Sequence, residues 1–159
     1  MKKLLVFTAV LALAGGALAQ DVMKLHEAMI FQVDTPLTWA ESPAFEKGAV
    51  SARLIGDRTK PELFIARQKL PPRYKIAPHY HTASETVTVL SGSMWHGLGE
   101  KFDTQKGELM KAGAVLALPA KHVHYVWTTE EGALLQIQAI GPIDIIYVDP
   151  ADDPRKKGK

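Results

Sequence analysis

The run Pro78-His79-Tyr80-His81-Thr82-Ala83-Ser84-Glu85-Thr86-Val87-Thr88-Val89-Leu90 decides how this chain is read. Its β-branched residues alternate with others, the pattern of a half-buried strand. Successive side chains of a strand point to opposite faces, so His79, His81 and Glu85 fall on one face, which continues through Val87 and Val89. Two imidazoles and a carboxylate beside an aliphatic wall are costly to bury unpaired, and one divalent cation would satisfy all three.

A further ligand must come from another strand. Gly113-Ala114-Val115-Leu116-Ala117-Leu118-Pro119-Ala120-Lys121-His122-Val123-His124 offers His122 and His124, which share a parity. Residue types and spacing leave the choice between them open. Taken singly, each His has an ordinary explanation as a core or surface residue; the clustering of several favours a metal.

Around these segments lie other short apolar runs: Glu62 to Arg67, stopped by Pro71-Pro72, then Ala114 to Leu118, His122 to Thr128, Ala133 to Ile140 and Ile143 to Val148. Each is bounded by Gly, Pro or acidic residues, and such spacing predicts an all-β sandwich or barrel. Residues 20–61 read as an N-terminal arm with the first strands, with Asp21 to Ile30 either a short helix or extended. Residues 62–148 read as the barrel core and residues 149–159 as a loose tail.

Residues 1–19 carry the three parts of a secretory signal: Lys2 and Lys3, an apolar run from Leu4, and Ala17-Leu18-Ala19 as a cleavage site. The run is too short for a spanning helix of about 20 apolar residues. Cleavage would leave 140 of the 159 residues, one domain's worth, exported to the periplasm or medium and free of the membrane. The chain has no Cys, which excludes disulfides and a lipid-bearing signal cysteine. Lys2 and Lys3 account for two of the 19 basic residues, so 17 remain against 17 acidic ones. That balance gives no electrostatic footprint for nucleic acid.

The two His-bearing segments resemble the paired motifs of the cupins. His79, His81, Glu85 and Gly92 fit the first motif without a gap, and Gly113, Pro119 and His124 fit the second. The resemblance implies a double-stranded β-helix, or jelly-roll, barrel. It also implies His124, rather than His122, as the fourth metal ligand beside His79, His81 and Glu85. Lys121 stands where the motif has Gly, and Thr128 where it usually closes on Asn.

Other residues compete for places near such a site. A two-residue turn at Ser91-Gly92 would pair Val87 with His96 and bring His96 to the pocket; one extra loop residue would turn it to the surface. Gln136 and Gln138 share a face opposite Leu135, Ile137 and Ala139. Aliphatics filling the core would send the amides to solvent, whereas the resemblance draws that strand to the pocket. Trp95, Tyr125 and Trp127 have outward parity and suggest a homodimer contact or a covering segment.

Three His and one carboxylate leave coordination positions open on a divalent ion such as Fe, Mn, Ni, Cu or Zn. The expected function is a metal-dependent enzyme, oxygenase-like, acting on a small organic molecule, with Glu85 as ligand and proton acceptor. The alternative is a non-catalytic metal-dependent binding or sensing module; a third reading is a barrel that the metal merely stabilises.

Overall fold

A computed structural model describes residues 28–157; the expected secretory signal of residues 1–19 and the stretch Asp21 to Glu27 lie outside them. The strands are β1 (Ala40–Glu41), β2 (Val50–Ile55), β3 (Leu63–Leu70), β4 (Lys75–His81), β5 (Glu85–Leu98), β6 (Gly107–Lys111), β7 (Val115–Leu118), β8 (His124–Ile140) and β9 (Ile145–Tyr147). All pairings are antiparallel. One side of the barrel follows the order β1-β2-β3-β8-β4-β9, while β5 pairs with β6, β7 and β8. The chain is an all-β jelly-roll barrel.

Two long strands tie the halves together. β5 and β8 pair from Glu85↔Ala139 to Leu98↔His124. Where the sequence predicted a hairpin at Ser91-Gly92, β5 continues as one strand, and Val87 sits opposite Leu116 and Ile137 rather than His96. Gly92 adopts φ +71° inside a bulged stretch, and a Cβ there would lie 2.2 Å from the Gly132 carbonyl oxygen. Gly132 itself has φ +70° and lies within β8, which merges the two strands expected at His122 to Thr128 and Ala133 to Ile140. These glycines let two strands bend across one another at contact distance, so their signature resembles that of a turn.

The core is aliphatic. Val89 and Met94 are fully buried within it, in one cluster with Ile76, Val87, Met110, Val126, Leu135 and Ile145; Tyr125, the largest fully buried side chain, lies outside that cluster. Tyr125 follows the covering-segment alternative: its parity is outward, and it is buried because the segment after β5 folds over it. Phe102 packs 4.9 Å from its ring, and its hydroxyl donates to the Asp103 carbonyl. Trp95 and Trp127 stack on the same outer face, 5.8 Å apart and nearly parallel.

Within the expected loose tail, residues 149–157 are docked. Two short 3-10 turns, Pro150–Asp152 and Pro154–Lys156, bring Arg155 onto Asp153 and Asp144, and its Nη2 donates to the Ile145 carbonyl at 2.8 Å.

Candidate metal centre

His79 and His81 occupy the end of β4, and His124 opens β8 directly opposite His79 in the ladder. One ring nitrogen from each of the three lies within 4.8 Å of the others. Glu85 opens β5 after a break at Thr82–Ser84. The sequence argument that set it on the same strand as the histidines is therefore corrected, although its side chain still faces inward. Its Oε1 lies 3.1 Å from His81 Nε2.

Backbone carbonyls fix two of the rings. Nδ1 of His79 lies 2.8 Å from the Ala77 carbonyl and Nδ1 of His124 lies 3.0 Å from that of His122. A carbonyl only accepts, so each Nδ1 carries the proton and each Nε2 keeps its lone pair for the site, the arrangement typical of ligating histidines. Burial, reinforced by His124 and His81, holds His79 neutral far below the usual range. Burial likewise lowers His81 to about 4, with His124 adding to the effect, and lowers His124. Burial raises the Glu85 carboxyl to about 7.

The four side chains line a cavity of about 50 Å³ whose remaining walls are mostly apolar, among them Ile76, Val87, Met94, Leu118 and Val126. Phe45 closes part of it from the segment before β2, and that segment is pinned by hydroxyl donations from Tyr147 to the Ala44 carbonyl and from Tyr74 to the Glu46 carbonyl. The fifth polar wall residue is Gln68, 3% exposed, whose Nε2 has no hydrogen-bond partner among the described residues. Sequence reasoning missed it by ending the strand at Arg67; parity with the buried Ala66 and Leu70 was the available signal.

The other nominated residues are distributed differently. His96 is buried, with its ring 5.3 Å from that of His124, but it stands outside the cavity wall, and its Nε2 also lacks a partner among the described residues. It arrives there along the continuous β5, not through a hairpin. Burial, then His124, lowers it to about 4. His122 is exposed in the turn before β8, where alternation does not apply, and contributes only its carbonyl to His124. Gln136 and Gln138 point away from the cavity, because Leu135 and Ile137 of the same strand line it. Gln138 borders instead an outer recess of about 490 Å³, which Glu85 and Leu118 also border.

The two motif departures are accommodated locally. Lys121 takes φ +63°, a left-handed conformation that a Gly would adopt more easily, while its N–H donates to the His81 carbonyl. Thr128 is buried, its hydroxyl donating to the Pro71 carbonyl and accepting from the Tyr74 N–H.

The donor set fits a divalent metal ion. Convergent neutral imidazoles with two fixed tautomers cannot satisfy one another, and a cation would accept all their lone pairs together with the carboxylate. The chain matches the family model described as cupin over residues 43–141. No curated protein sequence matches it. Among solved structures, it is similar to the polyketide cyclase RemF from Streptomyces resistomycificus, with TM-score 0.63 and 19% identity over 81% of this chain and 92% of that one. It is also similar to an RmlC-like cupin from Ralstonia eutropha JMP134, with TM-score 0.58 and 17% identity over 74% of this chain and 70% of that one. KdgF from Halomonas sp. gives TM-score 0.54 and 15% identity over 71% of this chain and 94% of that one. At these identities the likeness is one of fold.

Proposed function

The chain belongs to the cupin family, and from that premise we propose that it is an exported enzyme that holds one divalent metal ion on His79, His81, His124 and Glu85 and acts on a small organic molecule. The observation that carries this reading is the convergence of three ring nitrogens within 4.8 Å beside a carboxylate. The ion would supply Lewis acidity or redox chemistry at coordination positions that four protein ligands leave open.

The surrounding residues set the conditions for that chemistry. Ala77 and His122 carbonyls orient the rings of His79 and His124. Apolar walls exclude bulk water, which strengthens electrostatic interactions inside. Glu85, raised to about 7 by burial in the metal-free site, would be ionised as a ligand and would take up a proton from a bound molecule only by giving up its coordination. A cavity of about 50 Å³ admits dioxygen, or the reacting terminus of a larger molecule whose body stays outside. An oxygenase-like reaction suits this space; RemF is a polyketide cyclase, so non-oxidative reactions belong in the test as well.

The small cavity also favours a second reading, a non-catalytic module that binds or senses a small ligand. Protein purified from its own host would be analysed for metal, then offered phenols, diketones and organic acids with and without oxygen. Turnover that Glu85→Gln slows more than it lowers metal content supports the enzyme. Tight ligand binding without consumption supports the module, and a metal-free chain with unaltered fold would overturn both. Export is supported by the signal pattern in residues 1–19, and pairing of two chains by the aromatic outer face of Trp95 and Trp127.

A further inference from the structure

On the inward face of β3, Ala66, Gln68 and Leu70 follow one another, and all three are buried. The flanking positions are apolar, so Gln68 interrupts a stripe that packing alone would fill with an aliphatic residue. Gln68 lines the cavity, and its amide Nε2 is buried without a partner among the described residues. A buried donor left unpaired carries the desolvation penalty of the group with no bond to offset it, so its retention calls for an acceptor inside the cavity. The histidines do not supply one: their free nitrogens converge on one another, and Glu85 meets His81.

Resting on the metal reading above, we propose that Gln68 is a positioning residue whose side-chain amide donates a hydrogen bond to the acceptor atom of a small oxygen anion held beside the metal. Size restricts the ligand. A water position needs roughly 10–15 Å³ of such space, so about 50 Å³ holds an ion and only two or three further atoms. The class is therefore a formate-sized anion, or the carboxylate or enolate end of a longer molecule. The apolar walls reject polar groups other than the one that meets the ion and Gln68. Gln68 thus selects for an acceptor where the metal alone would take any donor.

Cobalt(II)-substituted protein gives the test, because its visible spectrum reports ligand binding without turnover. Gln68→Met removes the amide at nearly constant volume. We expect cobalt content equal to wild type, a metal-free urea midpoint equal or higher, and formate and azide dissociation constants raised about tenfold or more, the worth of a hydrogen bond to a charged group. In zinc-loaded, ¹⁵N-labelled wild type, formate is expected to shift the assigned side-chain NH2 pair of Gln68, a readout independent of how the variant folds.

Unchanged anion affinity in Gln68→Met, or an unmoved Gln68 resonance, overturns the positioning role and leaves the metal reading standing. Loss of cobalt from the variant also overturns it, by making Gln68 a metal ligand. A wild-type chain that takes up no metal overturns the metal reading and this one with it.

Discussion

Glu85 Oε1 and His81 Nε2 lie 3.1 Å apart across the Thr82–Ser84 break, a carboxyl raised to about 7 facing an imidazole lowered to about 4. Both shifts arise chiefly from burial, and both disfavour charge. The metal-free Glu85–His81 pair is thus neutral between about pH 7 and about pH 4, while a bound divalent ion would require the carboxylate ionised.

Metal affinity should therefore depend on pH through Glu85. Below about pH 7 the ion must displace its proton, so the apparent affinity falls, by up to about tenfold per pH unit. Above about 7 this contribution is flat. Zinc competition with a chelator from pH 5.5 to 8 measures it, and Glu85→Gln should remove the slope. An affinity that is constant across this range in wild type would count against Glu85 as a ligand.

The metal-free fold should weaken in acid. His79, His81, His96 and His124 are all held below their ordinary value, so the unfolded chain takes up protons first as the pH falls through about 6.5. Stability is then lost progressively toward about 4, where His81 and His96 charge in the fold. Glu85 acts in the opposite sense, since its raised pKa gives stability that disappears as pH rises from 4.5 to about 7. One carboxyl does not offset four imidazoles. Urea midpoints of apoprotein should be lower at pH 5 than at pH 7.

Phe45 sets the size of the site. Phe45→Ala should cost roughly 2 kcal/mol, less than for a fully buried Phe, and should let benzoate-sized anions reach the cobalt-substituted metal. If the variant still admits only formate and azide, another wall limits access.

Lys121→Gly should stabilise the fold by about 1 kcal/mol, because left-handed backbone strains an L-residue and not Gly. The N–H bond from residue 121 to the His81 carbonyl is retained in the variant. An unchanged or lower urea midpoint would refute the strain argument.

Export predicts a mature chain beginning at Gln20, after Ala17-Leu18-Ala19. Intact mass of protein recovered from outside the cytoplasm checks this. A full-length chain persisting in the membrane fraction would contradict it.

The sequence by itself determined the all-β class and brought His79, His81, Glu85 and His124 to attention, because alternation along strands and fixed motif spacing are local properties of the chain. It also foresaw the Gly at position 92, though not its purpose. Only the tertiary structure decided that Gly92 bends a continuous strand against Gly132 instead of turning a hairpin, since a positive φ serves either use and the partner strand makes the choice. The same holds for the inner amide. Gln136, Gln138 and Gln68 are alike in sequence, and the register that points Leu135 and Ile137 inward leaves Gln68 of β3 as the one that lines the histidines' cavity. Phe45, far from either motif, closes the cavity because Tyr74 and Tyr147 hold its segment in place. Which residues share a face is written in the chain, but which faces meet depends on contacts between residues distant in sequence.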